Sequence, residues 1–88
     1  MEKIYKELQK LGFSQYEFQV YTEVLKDFPI TGYEISKRSG VPSSIIYEVV
    51  AKLLKIGAVY TATLVPLTYV PLPAKELINR LRNSFEIF

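Results

Sequence analysis

The sequence predicts a mainly α-helical domain with a small β-hairpin, and three observations carry that prediction. Apolar residues recur at helical spacing through most of residues 2–56. The period of the pattern then changes from 3.6 to 2 over residues 59–70. Between them, Thr31–Gly57 is typical of a short helix, a tight turn and a longer helix. This order predicts a winged helix-turn-helix, an architecture typical of DNA-binding domains.

Length and composition narrow the classes of function. The chain has 88 residues, so we expect one domain over residues 1–88. It has no cysteine and no histidine, which excludes disulfides and thiolate metal sites and removes the commonest general base. Asp27 is the only aspartate, and no catalytic motif is present. We therefore predict a protein that is not an enzyme and that holds no metal or cofactor.

The sequence shows neither a membrane span nor a signal peptide. No apolar stretch approaches the roughly 20 residues of a membrane span. The amino-terminal segment, MEKIYKELQKLG, is charged and has a helical pattern, unlike a signal peptide. The sequence therefore predicts a cytoplasmic protein.

Two helices are predicted before residue 30. The first covers about Glu2–Leu11 and ends at Gly12. A capping box, Ser14-Gln15-Tyr16-Glu17, opens the second, because the serine oxygen can accept the Glu17 N–H while the carboxylate reaches back to the cap N–H. Pro29 ends the second helix. Its predicted apolar face consists of Phe18, Tyr21, Val24, Leu25 and Phe28.

The helix-turn-helix is predicted at residues 31–57. A second capping box, Thr31-Gly32-Tyr33-Glu34, opens a short helix that ends near Ser39. Gly40 can take the left-handed conformation that closes this helix, and Val41 can enter the core from the turn. The following helix is predicted at about Ser43–Ile56. Its buried stripe is predicted to be Ile46, Val49, Val50, Leu53 and Leu54.

The wing is predicted at residues 58–72. It consists of strands Val59–Leu64 and Leu67–Val70, joined around Val65-Pro66. A last helix is predicted at about Ala74–Phe88 (residues 74–88). Its apolar residues recur at alternating steps of four and three, a seam that suits packing on another helix: Ala74, Ile78, Leu81, Phe85 and Phe88.

Basic residues are concentrated in the helix-turn-helix. Residues 31–57 carry four basic and two acidic side chains, for a net charge of +2. Residues 1–30 carry −1, residues 58–73 carry no charge, and residues 74–88 carry +1. The most basic segment is thus the one whose pattern indicates DNA binding, although the excess is small.

Four sequence words resemble one family. The words LGFSQYE, SGVPSS, IYEVVAKL and YVPLPAKEL stand in an order and spacing similar to the amino-terminal domain of TrmB-like transcriptional regulators. These are archaeal and some bacterial proteins with winged helix-turn-helix domains. The resemblance covers roughly residues 8–82. It implies sequence-specific binding to double-stranded DNA as a homodimer, with the helix at Ser43–Ile56 as the recognition helix in the major groove.

The chain departs from that family in three respects. Family members usually carry a basic residue or two at the start of the recognition helix, at positions matching Ser43 and Ile45, and charges in the wing. Here the helix starts with Ser43, Ser44 and Ile45, and the wing is uncharged. Many relatives also have a carboxy-terminal domain that senses sugars. No such effector domain is visible, so the chain is either a small stand-alone regulator or a fragment.

Candidate DNA-binding residues follow from this placement. Ser43 and Ser44 can contact bases or phosphates, Ile45 a thymine methyl group and Tyr47 a phosphate, unless this is a capped, solvated helix face. Lys37 and Arg38 are either phosphate contacts or cations that complement a helix dipole. Two further candidates are Thr31, whose capping role is the safer interpretation, and Lys52.

Two features leave alternatives open. The uncharged hairpin either lies along the DNA backbone, contacts another protein, or packs on the helices, and contact with protein or core is favoured over phosphate. The seven tyrosines are interpreted as half-buried structural residues in preference to a single-strand stacking platform. The alternative function is therefore a winged-helix protein-interaction module that no longer binds DNA. The first and last helices are the candidate dimer elements.

Overall fold

The computed structural model describes the backbone of residues 2–86 and the side chains of residues 2–83. This part of the chain contains five helices and a three-stranded antiparallel sheet, which confirms a mainly helical winged helix-turn-helix. The helices are α1 (Glu2–Lys10), α2 (Gln15–Lys26), α3 (Gly32–Ser39), α4 (Ile46–Lys55) and α5 (Ala74–Glu86). The strands are β1 (Ile30–Thr31), β2 (Val59–Leu64) and β3 (Leu67–Pro71).

Both predicted capping boxes are present. The Ser14 hydroxyl accepts the backbone N–H of Glu17 at 3.1 Å, and the Glu17 carboxylate accepts the Ser14 N–H at 2.9 Å. Thr31 and Glu34 make the same reciprocal pair in front of α3, at 3.1 and 3.2 Å. Each box satisfies amides that a helix start otherwise leaves unpaired, so local sequence fixes where α2 and α3 begin.

The sheet has one strand more than the sequence predicted. Its order is β1-β3-β2, with Ile30 opposite Tyr69 and Thr31 opposite Thr68. The pattern missed β1 because two residues are too short to show a period of 2. β3 also continues to Pro71, which lies opposite Val59 at the end of the hairpin. The short strand anchors the hairpin beside the start of α3.

The fourth helix is shorter than predicted. The predicted range was Ser43–Ile56, but α4 is Ile46–Lys55. The Ile45 N–H bonds to the Pro42 carbonyl at 3.1 Å, and Ile45 has φ −119° and ψ 2°, which is not helical. These contacts close a turn, so Ser43 and Ser44 precede the helix. Nor do the serines cap α4, because its N-cap residue is Ile45 and makes no side-chain cap.

The core lies where α2, α3, α4 and the sheet meet. Val50 and Leu53 of α4 are buried there, but Leu54, predicted in the same stripe, is 36% exposed. Phe28 is likewise outside the core, at 55% exposed, because it follows the end of α2. In α5 the predicted seam omitted Leu77, which is completely buried. The side chain of Phe85 and all of Phe88 lie outside the described residues.

Tyr21 connects α2 to the segment after the sheet. Its side chain is fully buried, and its hydroxyl donates a hydrogen bond to the carbonyl of Leu72. Burial raises the pKa of the Tyr21 hydroxyl well above its usual value. The tyrosines were predicted to be half-buried. Tyr21 and Tyr69 are more buried than that, whereas Tyr33 and Tyr47 are more than 60% exposed.

Tyr21 predicts a fall in stability at alkaline pH. Because the pKa is raised in the folded state, the unfolded chain loses this proton first, and stability is lost as the pH rises above about 10. We expect Tyr21→Phe to lower the free energy of unfolding at neutral pH by about 1 kcal/mol and to flatten the alkaline fall. Urea unfolding between pH 7 and 11 measures both effects. Equal alkaline slopes for the two proteins would contradict the assignment to Tyr21.

Candidate nucleic-acid interface

The turn between α3 and α4 is fixed by backbone contacts. Gly40 has φ +78°, the left-handed conformation predicted for the end of α3. The Ser39 hydroxyl accepts the Val41 N–H at 3.1 Å, and Gln19 of α2 donates to the Ser39 carbonyl at 2.7 Å. Val41 is buried, as predicted. These contacts hold α3 and α4 in a set orientation and leave Ser43 and Ser44 exposed beyond the turn.

The side of α4 that faces solvent is polar and carries little net charge. Its exposed side chains, together with the preceding turn, are Ser43, Ser44, Tyr47, Glu48, Ala51, Lys52, Leu54 and Lys55. Within the described part of the chain, Ser44, Glu48 and Lys55 have no hydrogen-bond or ion-pair partner. We call Ser43, Ser44, Tyr47, Glu48, Ala51 and Lys55 the outward face. It combines donors and acceptors with little net charge.

Tyr47 joins the outward face to the start of α3. A Cβ atom added to Gly32 would lie 2.8 Å from Tyr47 Cε1, so the tyrosine ring packs directly on the glycine backbone. The rest of the side chain is exposed, at 61%. Burial, followed by the electrostatic effect of Tyr47, raises the pKa of Tyr69. Tyr47 is thus held in place at one edge while its other edge faces solvent.

The two predicted cations of α3 have different surroundings. Lys37 is exposed, and its Nζ lies 4.9 Å from the centre of the Tyr33 ring. Arg38 bonds to Asp27 at 2.8 Å and to Glu34 at 3.2 Å, and the hydrogen bond to Asp27 raises the pKa of the guanidinium. Arg38 is thus engaged by two carboxylates, whereas Lys37 has no carboxylate partner among the described residues.

Two other candidates have structural roles in this chain. The Thr31 hydroxyl is engaged with Glu34 in the capping box, and its backbone is part of β1. Ile45 is partly buried and packs against the core, so only part of its side chain faces solvent. Both residues position the helices that they precede, and neither presents a free polar group to the outward face.

Lys52 points towards α2. Its Nζ lies 2.7 Å from Glu17 Oε2, and the Glu17 side chain is only 6% exposed. Lys52 lies five positions after Tyr47, which places the two about 140° apart around the helix axis. The other carboxylate oxygen of Glu17 accepts the Ser14 N–H, so Glu17 has two partners. The sequence suggested a DNA contact for Lys52, whereas its present partner is a buried carboxylate.

We expect Lys52→Met to lower stability by about 1 to 2 kcal/mol, because it removes the cation that compensates the Glu17 carboxylate. Lys55→Met is the matched control, because Lys55 is exposed and has no partner among the described residues. Urea unfolding should separate the two variants, with Lys55→Met within about 0.5 kcal/mol of the parent. Equal stabilities for both variants would contradict the structural role of Lys52.

The tip of the wing is apolar and exposed. Leu64 is 77% exposed, Val65 94% and Leu67 42%. Only Val59 of β2 is buried, whereas β3 buries Thr68 and Tyr69. The hairpin thus packs on the helices through β3, and its tip projects away from the core. Arg80 of α5 donates to the Tyr60 hydroxyl at 3.0 Å and supports the base of the hairpin.

Glu48 and Lys55 are not among the DNA-binding candidates predicted from the sequence. The structure places both on the outward face beside Ser44 and Tyr47. The signal was present in the spacing, because positions 44, 48, 51 and 55 fall on one side of a helix. Lys52 lies at the edge of the same set, so only its contact with Glu17 distinguishes it.

Known proteins resemble this chain in sequence. Residues 8–75 match the family model described as "Sugar-specific transcriptional regulator TrmB". The chain belongs to the TrmB family. The family consists of transcriptional regulators, and the helices and sheet described above are consistent with its winged helix-turn-helix domain.

Two relatives are much longer than this chain. The chain is 44% identical to the uncharacterized protein YrhO of Bacillus subtilis over 79 residues, covering 90% of this chain and 29% of that protein. It is 32% identical over 83 residues to the HTH-type sugar sensing transcriptional regulator TrmBL1 of Pyrococcus furiosus, covering 94% of this chain and 24% of that protein. The chain thus spans less than a third of the length of either relative.

Two features are absent from the described residues. None of their helices combines the length and the apolar character that crossing a membrane requires. No group of three or more acidic side chains there is arranged to hold a metal ion.

Proposed function

We propose that the chain binds double-stranded DNA sequence-specifically and regulates transcription, with α4 as the recognition helix in the major groove. The observation that carries this proposal is the outward face itself. The contacts around Ser39 and Gly40 fix the turn, and the side of α4 opposite the core presents unpaired polar groups. A helix-turn-helix reads base edges from this position. Membership of a family of transcriptional regulators supports the same function.

The charges of the outward face set the expected strength of binding. Lys37 in the last turn of α3 and Lys55 in the last turn of α4 are exposed and have no carboxylate partner among the described residues, whereas Arg38 is paired with Asp27 and Glu34. Each phosphate neutralised contributes close to one unit to the salt dependence of log K. With two such cations, we propose a slope of roughly −2 per protomer. Base contacts then supply a large share of the affinity.

A homodimer is part of this proposal. A two-fold dimer places two recognition helices about one turn of DNA apart, which suits a palindromic site. We assign the contact to α1 and α5, which pack together in the protomer and are joined by the ion pair of Glu7 and Arg82. A cytoplasmic location belongs to the same proposal, as does a role in sugar sensing, which the name of TrmBL1 indicates for that protein.

Fluorescence anisotropy with a labelled duplex of random sequence tests DNA binding. At low salt, we expect binding whose logarithm falls linearly with the logarithm of salt concentration, with a slope of roughly −2 per protomer. A duplex obtained by selection should bind at least a thousandfold more tightly, on the order of the usual ratio for specific sites. No binding to either duplex at low salt would reject the proposal.

The alternative is a protein-interaction module, and the exposed wing tip is the observation that favours it. Leu64, Val65 and Leu67 form an uncharged apolar tip that supplies no cation for phosphate. Under this alternative, Val65→Lys should disrupt binding to a protein partner, and neither the parent nor the variant should bind DNA. Under the DNA proposal, the same variant should raise DNA affinity or leave it unchanged, because it adds a cation beside the duplex.

A further inference from the structure

Glu48 is the one acidic side chain of the outward face. It lies in the first turn of α4, is exposed, and has no partner among the described residues. The nearest comparable carboxylates of the helix-turn-helix and α2 are all engaged: Glu17 with Lys52, and Glu34 and Asp27 with Arg38. Glu48 thus differs from its neighbours in having its full hydrogen-bonding capacity available.

An ionised carboxylate has a restricted choice of partners in a major groove. It can only accept hydrogen bonds, and it is repelled by the phosphates on either side. The donors that bases offer there are the N4 amino group of cytosine and the N6 amino group of adenine. A Glu48 side chain that enters the groove must therefore meet one of these groups, or it weakens binding.

Cytosine is the better of the two partners. The adenine amino group lies between two acceptors, N7 of the same base and O4 of the paired thymine. The cytosine amino group has an acceptor, guanine O6, on one side and a C–H group on the other. A carboxylate approaching cytosine thus meets one fewer repulsive atom. The same argument does not apply to Ser44, since a hydroxyl can both donate and accept.

We propose that Glu48 determines specificity by accepting a hydrogen bond from a cytosine amino group at one position of each half-site. This inference rests on the proposed function, because it requires α4 to lie in the major groove. It explains how an almost neutral helix face can favour specific over random DNA. Cytosine at the right position compensates the carboxylate. Guanine and thymine offer it no donor, and adenine offers its amino group only between two acceptors.

The test is Glu48→Gln, which keeps the shape and removes the charge. Glutamine donates as well as accepts and pairs with adenine through N6 and N7, so the preferred base at one position should change from cytosine to adenine. Selection of bound duplexes from a random library, followed by competition with single-base variants, measures this change. For the parent protein we expect roughly tenfold discrimination in favour of cytosine. Affinity for random DNA should rise in the variant, because a repulsive charge is lost.

Glu23→Gln is the matched control, because Glu23 lies on α2, outside the outward face and outside the proposed dimer contact of α1 and α5, and undergoes the same change of charge. It should leave the base preference unchanged. If Glu48→Gln raises affinity yet selects the same sequences as the parent, Glu48 reads no base, and the inference is overturned while DNA binding stands. If the parent binds no duplex at low salt, the proposed function and this inference both fail. Cooperative thermal unfolding of both variants confirms that they are folded, and Glu48→Gln should unfold at a slightly lower temperature because it removes a charge that complements the dipole of α4.

Discussion

Replacing Ser43 and Ser44 together by glutamate is expected to weaken DNA binding by roughly a hundredfold at 0.1 M salt. Both serines are exposed at the end of the outward face that we place nearest the duplex. Each added carboxylate faces phosphates at short range, and a repulsion of about 1 to 2 kcal/mol per charge corresponds to a factor of about ten. Fluorescence anisotropy on a selected duplex measures the loss.

This variant should not lose stability, which separates its effect from unfolding. Acidic residues before α4 complement the positive end of the helix dipole, so thermal unfolding should be unchanged or slightly raised. The double variant Gln9→Glu and Gln15→Glu adds the same charge at exposed positions of α1 and α2. Equal losses of affinity for the two double variants would show that net charge, and not the position of α4, governs binding.

Replacing Leu53 by alanine is expected to lower the free energy of unfolding by about 2 to 5 kcal/mol. Leu53 is completely buried in α4, so the change removes apolar contacts and leaves a cavity. A domain of this size has a stability of the order of 5–10 kcal/mol, and the loss is a large part of it. Urea unfolding followed by circular dichroism measures the difference.

Leu54→Ala is the matched control for Leu53. The two residues are adjacent and chemically identical, but Leu54 is 36% exposed. We expect Leu54→Ala to cost about 1 to 2 kcal/mol, less than Leu53→Ala, because 36% of Leu54 is already exposed. Comparable losses for both variants would mean that α4 is rotated about its axis. That rotation would also change which residues belong to the outward face.

Local signals predicted the parts of the fold that depend on neighbouring residues. The two capping boxes set the starts of α2 and α3, and Gly40 sets the end of α3. All three are present as predicted. The start of α4 could not be read in this way. Whether Ser43 and Ser44 belong to the helix depends on the turn that Pro42 and Ile45 close, and the serines provide no cap to mark it.

Tertiary contacts explain the remaining differences in the candidate site. Lys52 and Lys55 have similar sequence surroundings, yet Lys52 bonds to Glu17, a residue 35 positions earlier in the chain. Arg38 likewise bonds to Asp27 of the segment after α2. Periodicity assigns a residue to a side of its own helix, but it does not reveal a partner on another helix. Cations already engaged in this way could not be recognised from the sequence.

Mapping of backbone amide chemical shifts tests most directly whether α4 is the part of the chain that meets DNA. The isotope-labelled chain is titrated with a duplex recovered by selection, and the shift of each amide is followed. Our account predicts that the largest changes fall on residues 43–51, with smaller ones around Lys37. The largest changes on the wing tip, residues 64–67, or on α1 and α5, with residues 43–51 unchanged, would contradict it.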